Sequence, residues 1–128
     1  MAKNITFEDF DGHLRVECTQ PATPASGDPV LFGDRAGVAL TAEDTATGRT
    51  TVLFEAVAEL SVKGVNGSGN SAVVAGDVIY YVVGDTPVLS KKATGVRYGV
   101  AMSQPSDTAG GNLIAAGGTG TIRVFVGL

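Results

Sequence analysis

The sequence has no tryptophan, one histidine and one cysteine, and no apolar run near the roughly 18 residues needed to cross a bilayer as a helix. Each shortage removes a class of chemistry. A single cysteine, Cys18, forbids an intrachain disulfide. It stands at an apolar-alternation position of "HLRVECT" and reads as a buried thiol rather than a nucleophile. One His and one Cys, without CxxC or HxxxH spacing, cannot build a structural zinc site. "EDFDG", beside His13, lacks the alternate oxygens and terminal glutamate of a calcium loop and reads as a solvated acidic arm. A serine triad would have to use His13, and no G-x-S-x-G elbow is present. "GSGNSA" and "GGTGT" lack the Lys-[Ser/Thr] that completes a phosphate loop.

Charge and aromatics are scarce as well. The net charge is -4, and Lys91-Lys92, the only adjacent bases, read as solvated turn residues, so no nucleic-acid partner is expected. Glu55 and Glu59 could serve as a carboxylate pair for glycoside chemistry, but three tyrosines and no tryptophan make a poor sugar-lining groove. A solvated face accounts for them better. The reading is a non-enzyme with no catalytic residue, metal or cofactor. "MAKNITFEDF" carries no signal-length apolar core, so synthesis in a cytoplasm without a membrane stage is expected.

What the chain does have is glycine and alternation. Eighteen glycines without a Gly-X-Y period, with 44% apolar and 17% charged residues over 128 positions, describe one folded, loop-rich β domain. "TIRVFVGL" sets Ile122, Val124, Val126 and Leu128 on one face against Thr121, Arg123 and Phe125. "TVLFEAVAELSV" sets Val52, Phe54, Ala56, Ala58, Leu60 and Val62 against Leu53, Glu55, Val57, Glu59 and Ser61, one long strand. In "HLRVECT", Leu14, Val16 and Cys18 oppose His13, Arg15 and Glu17. "GDVIYYVV" is apolar on both faces and belongs inside a sheet or at a subunit contact. "TQPATPASGDP", "GVNGSGNSA", "SQPSDTAGGN" and "AAGGTGT" are turns and loops, and only "LTAEDTAT" could wind into a turn of helix. The expected fold is all-β: a small β-sandwich or partly closed barrel with long Gly/Ala-rich loops and an extended N-terminal arm. Residues 1–25 would hold the arm and first strand, and residues 26–128 the β-rich domain.

One phrase occurs twice. "ASGDPVLFGDRAGVAL" (25–40) returns, stretched, as "AGDVIYYVVGDTPVLSKKATGVRYGVAM" (75–102). Gly27-Asp28 and Gly76-Asp77 read as turn entries, glycine taking positive φ and aspartate bonding the backbone beyond it. Gly37-Val38-Ala39 and Gly99-Val100-Ala101 restart a strand whose small residues permit close packing. The phrase reads as a β-hairpin device used twice.

The order of these phrases resembles the bacteriophage capsid cement, or head decoration, proteins. The resemblance runs from about residue 26 to the end. It rests on a Ser-Gly-Asp-x-Val turn at 26–30, a Gly-Val-Ala strand at 37–39, a second turn of the Gly-Asp-x-Val-Tyr kind at 76–80 (here Gly-Asp-Val-Ile-Tyr), a Gly-x-Ala strand at 99–101 and a closing strand at 121–128. Pro29 and the longer segment before Gly99 depart from the pattern. The resemblance implies a structural virion protein on the outer surface of the phage head, made in the host bacterial cytoplasm. Its partners would be the major capsid protein and its own copies, with a homotrimer as the expected form. Ile5, Phe7 and Phe10 lie in a polar leader and are the capsid-contact candidates, either closing the domain as a strand or docking elsewhere. Tyr80, Tyr81 and Val83 are the subunit-interface candidates. The alternative is a tail or fibre-associated β domain that binds a host surface glycan, which would require an exposed aromatic platform.

Overall fold

The computed structural model describes residues 13–108 and 110–127. Their chain runs through β1 (His13–Val16), β2 (Pro29–Phe32), β3 (Arg35–Ala39), β4 (Thr50–Leu53), β5 (Ala56–Lys63), β6 (Val65–Asn66) and β7 (Gly69–Asn70). It continues through β8 (Val73–Val74), β9 (Val78–Tyr81), β10 (Leu89–Ser90), β11 (Val96–Met102), β12 (Asn112–Ile114) and β13 (Thr119–Val126). Four strands form an antiparallel sheet in the order β1-β4-β3-β2, and five close a barrel in the order β10-β5-β13-β11-β9. The fold is all-β and combines an open sheet with a closed barrel, as the strand pattern predicts. The leader with Ile5, Phe7 and Phe10, and Leu128 of the closing face, lie outside the described residues.

The duplicated phrase is a duplicated structure. In the first unit Pro29 opposes Val38 and Val30 opposes Gly37; in the second Val78 opposes Val100 and Ile79 opposes Gly99. The third strands match too: Val38 and Ala39 face Leu53 and Val52, while Val100 and Ala101 face Phe125 and Val124. β2-β3-β4 and β9-β11-β13 are therefore equivalent three-stranded units. Their entry turns agree bond for bond. Gly27 and Gly76 have φ of 88° and 93°, a region that L side chains resist. Their N–H groups donate to the carbonyls of Ala39 (2.7 Å) and Ala101 (2.8 Å). The carboxylates of Asp28 and Asp77 reach back, not onward, accepting the N–H of Ala25 at 2.8 Å and of Val74 at 2.9 Å. Gly37 and Gly99 are small because the third strand lies close: a β-carbon would meet the Val52 side chain in one unit and the Phe125 carbonyl in the other.

Each unit encloses its own core. Val30, Ala39, Val52 and Phe54 fill the first, with Leu14, Val16 and Cys18 packed against them. Their counterparts Ile79, Ala101, Val124 and Val126 lie in the barrel with Leu60, Val62, Tyr81, Leu89 and Tyr98. The opposite face of the first unit, carrying Leu31, Ala36 and Val38, packs into the barrel core and joins the two. Across that seam the Tyr98 hydroxyl donates to the Gly37 carbonyl at 2.6 Å, fully buried.

Several expectations change in detail. "TVLFEAVAELSV" keeps its alternation, with Leu60, Val62, Val52 and Phe54 buried and Val57, Glu55, Glu59 and Ser61 exposed. It is nevertheless two strands, β4 and β5, because the chain turns at Phe54-Glu55 from the first sheet into the barrel. "LTAEDTAT" makes no helix: Gly48 N–H donates to the Asp44 carbonyl at 2.7 Å, closing one turn inside an Asp44–Arg49 bridge. "GVNGSGN" is a small hairpin, β6-β7, whose turn is held by Asn66 Oδ1 accepting the N–H of Ser68 and Gly69. Lys91 and Lys92 are not loose in solvent. Lys91 Nζ sits 3.1 Å from Asp77 and donates to Ser71 Oγ and the Ala72 carbonyl, and Lys92 Nζ donates to Asp85 at 2.8 Å.

Candidate interaction surfaces

The two units differ in what closes them. In the second, the strand position of Phe32 is taken by Tyr81, which is 3% exposed and plugs the barrel. In the first the mouth stays open. Phe32, the last residue of β2, is 47% exposed beside the Gly33-Asp34 turn. Leu14, Phe32, Asp34, Arg35 and Phe54 line a groove of about 420 Å³ there. The Phe32 and Phe54 rings meet tilted by 59° at 6.3 Å between centroids. The Arg35 guanidinium lies 5.9 Å from the centre of the Phe54 ring and 3.7 Å from the Glu55 carboxylate. Such contacts stabilise by about 0.5–1.5 kcal/mol for the ring pair and about 0.5–1 for an exposed cation over a ring. The groove is thus a preformed aromatic floor with two opposite charges, Asp34 and Arg35, at its rim.

A second apolar feature runs over the outside of the barrel. Val57, Phe125, Val100 and Val78 stand opposite one another on four adjacent strands, β5, β13, β11 and β9. Val57 is 52% and Phe125 43% exposed, while Val100 and Val78 are half-buried. The next row inward along the strands pairs Glu59 with Arg123. Four apolar residues in one cross-strand row form a continuous patch rather than scattered surface hydrophobics.

The sequence-predicted candidates fall as follows. Tyr81 is inside the barrel, which leaves it no surface to offer another subunit; burial first, then the Asp28 carboxylate, push its phenol pKa up. Tyr80 is half-buried and Val83 is 60% exposed. Ile5, Phe7 and Phe10 lie outside the described residues, as do Glu8, Asp9 and Asp11. His13 begins β1. Among the described residues no three His, Cys, Asp or Glu side chains converge as a metal would require. Cys18 is half-buried against the first core, and burial raises its thiol pKa, opposed by the Thr50 hydroxyl and aided by Glu43. A polar cleft of about 230 Å³ between Lys63, Thr86 and Ser90 is spanned by the Lys92–Asp85 pair.

Sequence reasoning missed both apolar surfaces. The signal for the outer row was present: Val57 and Phe125 are the large apolar residues on the polar faces of their strands. The groove had a weaker trace, an aromatic at a strand end immediately before a Gly-Asp turn. No protein-family model matches the chain, and searches of curated proteins and of solved structures gave no match.

Proposed function

We propose that this protein is a capsid cement protein, a structural component that binds the outer surface of an icosahedral phage head and links neighbouring major capsid protein subunits. The order of Gly-Asp and Gly-Val-Ala phrases, through which it resembles that family, motivates the reading. The observation that carries it is the open apolar groove of the first unit, where Phe32 is exposed but Phe54 is only 4% exposed, a seat for an apolar side chain and not the exposed aromatic platform that a glycan would require. Leu14, Phe32 and Phe54 give a partner an apolar surface to seat on, with Asp34 and Arg35 beside it. A clamp of this kind works by area and by the neighbours it joins, with strand pairing at sheet edges as a further source of adhesion.

The test is co-sedimentation with expanded heads stripped of decoration. The wild-type chain pellets with the heads and saturates; Phe32→Ser, which alters an exposed ring and spares the core, weakens occupancy at least tenfold, and removal of residues 2–10 weakens it further. Full occupancy by both variants, or no pelleting of the wild type, contradicts the reading.

A further inference from the structure

We propose that the outer face of the barrel is a self-association surface on which another copy of this chain packs face to face. The proposal concerns the protein in solution and holds whether or not the chain decorates a capsid.

The internal duplication shows what this face does. In the first unit the row equivalent to Val78–Val100–Phe125 is Pro29–Val38–Leu53. That face is a packing face: Val38 is buried, together with Leu31 and Ala36, against the barrel core. The second unit carries an apolar row at the same strand positions, extended by Val57 on β5, and among the described residues no third unit covers it. Val57 and Phe125 of that row are left facing solvent.

The pattern around the row identifies the occupant as a second copy. On β5 and β13 the opposed pairs are Val57 with Phe125 and Glu59 with Arg123, one apolar and the next of opposite charge. A two-fold axis running between these strands, along their direction, sets Val57 of one copy over Phe125 of the other. It also sets Glu59 over Arg123, twice. A surface made of such pairs is complementary to itself, which is the condition for an isologous interface. Sheets stacked in this way lie about 10 Å apart, within reach of a phenylalanine and of an arginine–glutamate pair.

Sedimentation equilibrium and light scattering across a micromolar to millimolar range provide the readout, with circular dichroism to verify that every variant is folded. The wild type is a dimer, and Phe125→Ser raises its dissociation constant at least tenfold. E59R and R123E are each monomeric alone. Mixed in equal amounts they form a heterodimer, because opposite charges now face one another across the axis in both places. That rescue is specific to contact between chains, since each variant still carries a like-charge pair within itself. A wild type that stays monomeric throughout, or charge variants that dimerise as well alone as when mixed, overturns the proposal.

Discussion

Replacing Tyr98 with phenylalanine removes one oxygen from the seam between the two units and leaves the ring in place. The tyrosine is fully buried, and its hydroxyl donates to the Gly37 carbonyl, 61 residues away in sequence, at 2.6 Å. A buried neutral hydrogen bond contributes about 1 kcal/mol net, in a range of roughly 0.5–1.5. In a domain of this size about 1 kcal/mol lowers the melting temperature by about 4 °C. Tyr98→Ala, which also empties the ring's volume, is expected to cost about 3–5 kcal/mol. The phenol adds a pH signature. Burial first, and Tyr81 second, hold its pKa far above the ordinary value of 10. The unfolded chain therefore releases this proton from about pH 10 upward while the fold retains it, so the contribution is complete below pH 10 and is lost as pH rises above it. Urea titrations at pH 7 and at alkaline pH should show Y98F less stable than wild type at neutrality, with the gap narrowing above pH 10. Equal stability at pH 7, or a gap that widens with pH, refutes the assignment of this bond to the seam.

Other perturbations follow from the duplication. Asp28→Asn and Asp77→Asn each exchange a charged turn acceptor for a neutral amide oxygen and so weaken the same turn bond, but Asp77→Asn also removes the charge that holds half-buried Lys91. D28N should cost about 0.5–1 kcal/mol and D77N about 1.5–3 by chemical denaturation, and equal losses would deny Lys91 its role. Gly99→Ala puts a β-carbon on the Phe125 carbonyl and should cost about 1–3 kcal/mol or more. In Gly27→Ala the methyl meets open space, and only the positive φ is penalised, by about 1–2 kcal/mol. The Cys18 thiol, raised in pKa by burial, should react with iodoacetamide at pH 8 more slowly in the folded protein than after denaturation; equal rates contradict its placement against the first core.

Alternation carried most of the fold because each strand has one wet and one dry face. Ile122, Val124 and Val126 point inward as their spacing requires. The repeated phrase was legible because its glycines set a positive-φ turn and its aspartates bond the backbone three residues back, both local features. The turn at Phe54-Glu55 was hidden: alternation passes through it unbroken, so the parity of Val52 and Leu60 agrees although they serve different cores. Tyr81 was misplaced because an apolar strand inside a closed barrel reads like one at an interface. The groove depends on Leu14 of β1, Phe32 of β2 and Phe54 at the turn after β4 meeting, and no local pattern announces that.

As a proposed cement protein, this chain would act as a fastener whose effect comes from the surface it covers. Heat-induced DNA release from phage heads, followed by an intercalating dye with and without the bound protein, tests this most directly. Decorated heads should release their genome at a distinctly higher temperature, with Phe32→Ser giving back most of the difference. Identical release temperatures for bare and fully decorated heads would contradict the account.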